Sequence, residues 1–173
     1  MNAKLKTTPG IYLAGFMGCG KSTAGRLAAE QLGWEFVDLD EEIVREAGRP
    51  IAEIFSSEGE QAFRDLEHQA VCEQARLARA GSARVVALGG GAFAFERNRL
   101  ALDEAGVTVW LDAPAAALWE RVKQEKHRPL ARDRDAFESL LESRLDAYGQ
   151  AGVRLDATPP PEEVAEAIVE LLV

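Results

Sequence analysis

Short apolar runs alternate with amphipathic stretches along the whole chain. Near-continuous apolar runs of a few residues are typical of strands buried on both faces, whereas apolar positions that recur every three or four residues predict helices. The apolar runs predict five strands, at residues 11–14, 35–38, 84–88, 107–111 and 153–155. The amphipathic stretches predict helices at residues 21–32, 41–47, 51–55, 60–80, 115–124, 137–148 and 162–172.

This regular order of strand and helix predicts the fold class. Strands that alternate with helices form a parallel sheet with helices on both faces, and 173 residues suit one hydrophobic core better than two. We therefore expect a single α/β domain over residues 1–173. Ligands of such sheets bind at the carboxyl ends of the strands, so the residues that follow each strand are the first candidates for a site.

The net charge of −9 narrows the choice of partners. An acidic chain is a poor binder of nucleic acid or of an anionic membrane, although a local basic site can still bind a small anion. No run reaches the roughly 18 apolar residues of a membrane span, and the first ten residues lack the apolar core of a secretory signal. The two cysteines, Cys19 and Cys72, do not suggest a disulfide framework. We expect a cytoplasmic monomer that binds small molecules.

A phosphate-binding loop follows the first predicted strand. Residues 15–22 match the pattern G-x-x-x-x-G-K-[ST] and lie between a strand and a helix, as the pattern requires. Its glycines let backbone N–H groups turn towards phosphate oxygens, and the helix N-terminus attracts the same anion. Lys21 is expected to reach the β- and γ-phosphates of ATP, and the Ser22 hydroxyl to bind Mg²⁺. The expected ATP-binding residues of the loop are Gly18, Cys19, Gly20, Lys21, Ser22 and Thr23.

Cys19 has two interpretations within this loop. A helix N-terminus lowers the pKa of a thiol, which would favour a redox role. The simpler interpretation is a position that tolerates a small residue, and we favour it.

Two aspartates follow the second predicted strand. Asp38 is placed to hold Mg²⁺, largely through water, because Mg²⁺ keeps part of its hydration shell. Asp40 could orient an attacking hydroxyl and accept its proton. It could also cap the helix predicted from residue 41, and the two roles are compatible.

Two arginines and a run of glycines are further candidates for ligand contact. Arg64 lies at the edge of the apolar face of its helix, where it could bind a ligand or form a surface pair with Glu60 or His68. Arg144 lies near the middle of an apolar face, so its charge needs a partner, either a protein carboxylate or an anionic ligand. Glycines 89–91 could form a plain turn, but one glycine suffices for a turn, which favours close approach to a ligand.

A basic segment runs from the end of the helix predicted at residues 115–124 towards the helix predicted at residues 137–148. Residues 121–134 hold six Lys or Arg against two acids, in a chain that is acidic as a whole. Such a segment is commonly just solvated. Beside a phosphate loop it could instead be a mobile lid over ATP, at about residues 123–135, with Arg128 supporting the transferring phosphoryl group.

These motifs, in this order, resemble the shikimate kinase family. The phosphate loop alone is shared by many kinases, whereas the later segments are far more specific. The match extends over nearly the whole chain and consists of GFMGCGKST at 15–23, DLD at 38–40, IF at 54–55, EGE at 58–60, FR at 63–64, LGGG at 88–91, RPL at 128–130, and Arg144 with Tyr148.

The resemblance implies a fold and a reaction. The fold is the P-loop, nucleoside-monophosphate-kinase-like type, with a five-stranded parallel sheet flanked by helices, a mobile lid, and substrate-binding helices at about residues 41–70. The implied reaction moves the γ-phosphate of Mg-ATP to the 3-hydroxyl of shikimate, giving shikimate 3-phosphate and ADP, on the route to aromatic amino acids.

The resemblance also implies a role for each matching residue. Lys21, Asp40 and Arg128 would be catalytic, and Arg128 would be the arginine of the lid. Arg121 would lie against the adenine of ATP, with a further adenine contact near Pro159 and Pro160. Ser22 and Asp38 would serve the metal. The residues implied to contact shikimate are Asp40, Arg64, Gly90 and Arg144, with both arginines on its carboxylate.

Two other functions stay open at this point. A related P-loop kinase could act on gluconate or a nucleotide, although the specific segments from residue 63 to residue 130 speak against it. A protein of the same fold could bind nucleotide without catalysis, but it should then have lost Lys21, Asp40 or Arg128, and all three are present.

Overall fold

Five parallel strands form one sheet in the order β2-β3-β1-β4-β5. The computed structural model describes residues 9–125 and 132–172. The strands are β1 (Gly10–Ala14), β2 (Glu35–Asp38), β3 (Arg84–Ala87), β4 (Val107–Asp112) and β5 (Val153–Asp156). The central strand β1 pairs with β3 on one side and β4 on the other, with Leu13 opposite Ala87 and Val109. The expected five-stranded parallel sheet is confirmed.

Burial follows the position of each strand in the sheet. Every residue of β1 and β3 is buried, because neighbouring strands and helices cover them on all sides. The edge strands β2 and β5 carry exposed or half-buried residues. Near-continuous apolar runs in the interior and mixed runs at the edges are what a parallel sheet covered on both faces requires.

Eight helices connect and cover the strands in the described part of the chain. They are α1 (Lys21–Leu32), α2 (Leu39–Ala47), α3 (Ile51–Glu58), α4 (Glu60–Arg79), α5 (Glu96–Leu102), α6 (Ala115–Val122), α7 (Arg134–Tyr148) and α8 (Pro161–Glu170). Helix α1 packs against α8 and the sheet, whereas α4 packs against α2, α3 and α5. Within the described residues, none of the helices has the combination of length and apolar character needed to cross a membrane.

One part of the chain was missed by the sequence pattern. We predicted no element between residues 91 and 107, but a 3₁₀ turn at Ala92–Ala94 and helix α5 lie there. Helix α5 has only seven residues, and one of its two buried positions is the polar Asn98, the other being Leu102. A short helix with a polar residue on its inner face carries no clear apolar periodicity, so the pattern could not reveal it.

The remaining elements agree with the sequence within a few residues. Helices α1 and α4 begin where the pattern placed them, whereas α2 begins two residues earlier and α7 three residues earlier than predicted. The loops that follow β1, β2, β3 and β5 all emerge at the carboxyl edge of the sheet, as parallel strands require. The candidate site is built from these loops.

Candidate active site

The phosphate loop joins β1 to α1. Gly18 and Gly20 have positive φ values of 84° and 87°, and a Cβ atom at Gly18 would lie 2.8 Å from Cγ1 of Val122. Among the described residues no side chain caps the N-terminus of α1, which follows Gly20. The first N–H groups of α1 therefore face the loop, where an anion can bind them.

Lys21 curls back over this loop. Its Nζ donates hydrogen bonds to the carbonyl oxygens of Gly15 (2.7 Å) and Phe16 (3.3 Å) and lies 3.6 Å from Sγ of Cys19. Cys19 itself is only 3% exposed and is a free thiol within the hydrophobic core. Its burial supports the packing interpretation over the redox one.

Ser22 and Asp38 meet at the mouth of the loop. Ser22 Oγ donates a hydrogen bond of 2.5 Å to Oδ2 of Asp38, although the residues are 16 positions apart. The other carboxylate oxygen of Asp38 accepts from the backbone N–H groups of Asp40 (3.1 Å) and Glu41 (3.3 Å). Asp38 is thus fixed in place by helix α2 while one oxygen faces Ser22.

The predicted capping role of Asp40 is wrong. Helix α2 begins at Leu39, so its N-cap is Asp38, and Asp40 lies within the first helical turn. Since Asp38 already accepts the N–H groups that need a partner, the Asp40 carboxylate is not needed as a cap. It lines the cavity at the carboxyl edge of the sheet instead.

Each of the three consecutive glycines lies against one of the residues that the resemblance implied to contact shikimate. We call residues 89–91 the glycine turn. A Cβ atom at Gly89 would lie 2.7 Å from Oδ1 of Asp40, and one at Gly91 would lie 2.9 Å from Nη2 of Arg64. A Cβ atom at Gly90 would lie 3.6 Å from Nη1 of Arg144. The lack of a side chain lets the turn approach these groups closely, and the ligand contact that the triple glycine suggested stays a prediction.

The clearance at Gly89 leads to a prediction. We expect Gly89→Ala to displace the Asp40 carboxylate and to cost about 1–3 kcal/mol of stability, as overpacking does. A displacement of about 1 Å at a reacting group can lower kcat/KM up to about 100-fold. Steady-state kinetics and thermal unfolding would measure both effects. Gly152→Ala is the control, because its Cβ would meet nothing closer than 3.5 Å. Equal kinetics for the two variants would contradict the prediction.

Arg64 is held by a carboxylate that the sequence did not reveal. Its side chain is 14% exposed, and Nη1 donates to both carboxylate oxygens of Glu67, at 2.9 and 3.1 Å. Glu60 lies 3.5 Å from Nε, so the predicted surface pair exists only as a secondary contact. The rings of Phe63 and Phe95 flank the guanidinium at 5.2 and 4.9 Å. Arg64 is therefore largely enclosed, and the Glu67 carboxylate and the two rings fix its orientation.

Glu67 is the main site residue that sequence reasoning missed. Only 1% of it is exposed, and Oε2 would lie 3.3 Å from a Cβ atom at Gly89. Burial raises the pKa of Glu67, and the charge of Arg64 partly opposes this shift. A glutamate three residues after Arg64, on the same side of α4, was the available signal. The apolar periodicity of the helix had assigned the position no role.

The raised pKa of Glu67 makes stability depend on pH. The folded chain holds this proton more tightly than the unfolded chain, whose pKa lies near the ordinary value of 4.5. The contribution of Glu67 to the free energy of unfolding therefore falls as pH rises from about 4.5 through the folded pKa. Glu67→Gln removes this titration, so we expect the difference in unfolding free energy, wild type minus variant, to decrease as the pH rises above the ordinary glutamate pKa of 4.5. Urea unfolding at several pH values would test this, and a difference that grew with pH would contradict it.

Arg144 reaches the glycine turn from helix α7. Its Nη1 donates to the carbonyl oxygen of Gly90 (2.7 Å), which also accepts the hydroxyl of Tyr148 (2.9 Å). Burial raises the pKa of Tyr148 to about 12, so this hydroxyl keeps its proton. The guanidinium lies 5.5 Å from the centre of the Phe16 ring. The guanidinium thus bonds to a backbone carbonyl, and its positive charge also acts on the buried carboxylate of Glu67.

One cavity brings most of the predicted residues together. It measures about 620 Å³, and its lining includes Gly18, Gly20, Lys21, Ser22, Thr23, Asp38, Asp40, Gly90, Arg121 and Arg144. Arg64 is not part of the lining and lies behind Gly91. Arg128 and the rest of residues 126–131 lie outside the described residues, so the central part of the predicted lid does too.

A second cavity lies on the other side of the phosphate loop. It measures about 360 Å³ and is lined by the loop, by Arg121 and by the segment that follows β5, which includes Pro159 and Pro160. Arg121 lies between the two cavities, with Nη1 donating to Gly18 O (3.0 Å) and Nη2 to Ala157 O (2.8 Å). The proline segment and Arg121 are thus neighbours, as the predicted adenine contacts require.

Comparisons with known proteins identify the family. The family model "Shikimate kinase" matches residues 17–173. The chain is 42% identical to a shikimate kinase of Persephonella marina over 84% of this chain and 87% of the relative. The chain belongs to the shikimate kinase family. A shikimate kinase of Geobacter sulfurreducens is also 42% identical, over 93% of this chain and 87% of the relative.

Solved structures of the family have the same fold. Shikimate kinase from Acinetobacter baumannii in complex with shikimate aligns with a TM-score of 0.86 at 36% identity, covering 96% of this chain and 94% of that one. A gluconokinase from Sinorhizobium meliloti aligns with a TM-score of 0.64 at 19% identity, which shows a shared fold alone. The expected P-loop kinase fold and the resemblance to the shikimate kinase family are both confirmed.

Proposed function

We propose that this chain transfers the γ-phosphate of Mg-ATP to the 3-hydroxyl of shikimate, giving shikimate 3-phosphate and ADP. Membership of the shikimate kinase family supports the reaction. The observation that carries it in this chain is the cavity in which the phosphate loop faces Asp40, Arg144 and the glycine turn. A phosphate donor and a small hydroxylated acid would meet there.

ATP would occupy both cavities beside the phosphate loop. The N–H groups at the start of α1, which no described side chain caps, suit its phosphates, and Lys21 is near enough to leave its carbonyl partners for them. Arg121 and the proline segment border the space for the adenine. We assign Gly18, Cys19, Gly20, Lys21, Ser22, Thr23 and Arg121 to ATP binding, together with Arg128.

Ser22 and Asp38 would hold the Mg²⁺ that accompanies ATP. Their oxygens already lie 2.5 Å apart, and both are oxygen ligands of the kind this hard cation prefers. Among the described residues no group of three or more His, Cys, Asp or Glu side chains could hold a metal by itself. This fits Mg²⁺, which takes water and phosphate oxygens as its other ligands. When bound, Mg²⁺ neutralises charge on the phosphates.

Shikimate, the acceptor of the phosphate, would bind on the other side of the cavity, which we call the acceptor side. Arg64 and Arg144 would bind its carboxylate, since two guanidinium groups suit a planar anion. Asp40 would accept the proton of the attacking hydroxyl, whose oxygen forms a bond to the γ-phosphorus while the bond to the β–γ bridging oxygen breaks and ADP leaves. Gly90 would contact the substrate through its backbone.

Arg128 would complete the site from the lid. Its proposed role is to stabilise charge on the transferring phosphoryl group, as a guanidinium does in other phosphoryl transfers. We also propose that residues 1–173 form one kinase domain, with the lid at about 123–135 and substrate-binding helices at about 41–70. A cytoplasmic monomer without nucleic-acid partners remains our prediction for the protein in the cell.

Release of ADP in the presence of different acceptors tests this function. Purified protein would receive Mg-ATP with shikimate or, in parallel, with gluconate. We expect ADP release that requires shikimate and stays at background with gluconate. ATP binding without a response to shikimate would overturn the proposed acceptor. A response to gluconate alone would favour the alternative of a P-loop kinase that acts on gluconate.

A further inference from the structure

Asn98 is a buried polar residue beside the site that the reaction above does not use. Only 1% of it is exposed. Its Nδ2 donates to the carbonyl oxygen of Ala92 (2.9 Å), and its Oδ1 lies 2.8 Å from Nδ1 of His68. Because Nδ2 is the donor to Ala92, Oδ1 must accept, and His68 therefore presents a protonated Nδ1. Both ends of the amide are satisfied by defined partners.

These two hydrogen bonds join helix α4 to the glycine turn, the two segments that border the acceptor side of the site. His68 belongs to α4, the helix that carries Arg64 and Glu67. Ala92 directly follows the glycine turn. The joined segments also meet where Gly91 faces Arg64, since a Cβ atom at Gly91 would lie 2.9 Å from Nη2 of Arg64. A small shift of either segment would therefore alter the position of the arginine relative to the turn.

The neighbouring residue of α5 strengthens the same connection. Arg97 Nη2 donates to the backbone carbonyl of Arg64 (2.8 Å), and its Nη1 pairs with Asp65 (3.0 Å). Arg97 is partly exposed, so it adds less than the enclosed amide of Asn98. Helix α5 thus contacts α4 at Arg64 through Arg97, and it also holds the glycine turn through Asn98.

We propose that Asn98 is a positioning residue for the acceptor side of the site. It sets the separation between the glycine turn and Arg64, and thereby the geometry in which Arg64 and Arg144 bind the acceptor carboxylate. Without the amide donor, the Ala92 carbonyl is left with a longer hydrogen bond from the backbone N–H of Phe95 (3.4 Å), so the turn shifts when the amide is changed. This inference rests on the proposed function, because shikimate is the acceptor used to test it.

Asn98→Asp is the sharpest test. The variant keeps the size of the side chain and an oxygen for His68, but it replaces the donor to Ala92 with an acceptor. We expect kcat/KM for shikimate to fall at least about tenfold, within the range that a displacement of about 1 Å produces. The KM for ATP should stay within about twofold, because Asn98, His68 and Ala92 are not among the described residues that line the two cavities beside the phosphate loop. Asn98→Ala, which removes both bonds without adding charge, replaces this variant if it does not fold.

Gln74→Ala is the matched control. Gln74, like Asn98, is a buried amide, and it is 3% exposed. It lies on α4, but its partner Arg84 is at the amino edge of the sheet, away from the site. We expect this variant to unfold at a lower temperature with unchanged KM values for both substrates. Calorimetric titration of each variant with shikimate alone adds a readout that does not depend on turnover.

Four outcomes would overturn the proposal. Wild-type kcat/KM for shikimate in Asn98→Asp would remove the positioning role. Equal changes in the KM values of both substrates, or the same kinetic change in Gln74→Ala, would reduce Asn98 to a residue that acts through stability. Wild-type protein that neither binds nor phosphorylates shikimate would overturn the proposed function, and this proposal with it.

Discussion

Asp40→Asn is expected to lower kcat for shikimate by about 10²- to 10⁴-fold, the range in which a positioned general base contributes. Asp40 lines the cavity with the phosphate loop, and it is not needed as the cap of α2 because Asp38 fills that position. An asparagine of the same size keeps the contact with Gly89 but cannot accept a proton. The loss should therefore appear in kcat, with little change in the temperature of unfolding.

The measurement is steady-state ADP release at saturating ATP and shikimate, together with thermal unfolding by circular dichroism. Glu46→Gln is the control, since Glu46 is an exposed acid on the same helix. It should behave as wild type in both assays. If kcat of Asp40→Asn stays within about tenfold of wild type, Asp40 is not the general base.

Arg144→Ala is expected to weaken shikimate binding by about 10- to 150-fold, equivalent to about 1.5–3 kcal/mol for a hydrogen bond to a charged group. The affinity for ATP should stay nearly constant, because Arg144 contacts the glycine turn rather than the phosphate loop backbone. The turn itself should survive, since Tyr148 still donates to the Gly90 carbonyl. The loss should thus reflect the missing guanidinium rather than a collapsed site.

Separate calorimetric titrations with shikimate and with ATP would measure the two affinities. Arg76→Ala is the matched control, because Arg76 is exposed on α4 and pairs only with Glu73 among the described residues. Arg144→Lys distinguishes charge from geometry, since lysine keeps the charge but loses the planar fork. Equal losses of ATP and shikimate affinity in Arg144→Ala would show that the residue holds the site together instead of binding the acceptor.

The sequence was informative wherever a signal is local in the chain. The phosphate loop is contiguous, so its place between β1 and α1 was predicted from the motif alone. The buried strands were predicted because both of their faces are covered, which leaves an unbroken apolar run. Ser22 and Asp38 were each predicted to serve a metal, and their side chains meet because parallel strands bring their carboxyl ends to one edge.

The sequence was ambiguous wherever a polar residue lay near an apolar face. Helical periodicity placed Arg64 and Arg144 on or beside such faces but could not name their partners. Those partners are a buried glutamate on the same helix for Arg64 and a backbone carbonyl 54 residues away for Arg144. The predicted N-cap, Asp40, lies two residues after the observed one, Asp38. The start of a helix depends on which side chain reaches the first N–H groups.

The sequence by itself therefore determined the α/β class and the order of the strands and helices along the chain apart from α5, and it predicted the residues at the phosphate end of the site. Only the tertiary structure decided how the acceptor end is assembled. There the glycine turn meets Asp40, Arg144 and Arg64, and Asn98 joins the turn to α4 across 30 residues of chain. These contacts link distant segments through distances of about 3 Å, and no periodicity along the chain encodes which segments will meet.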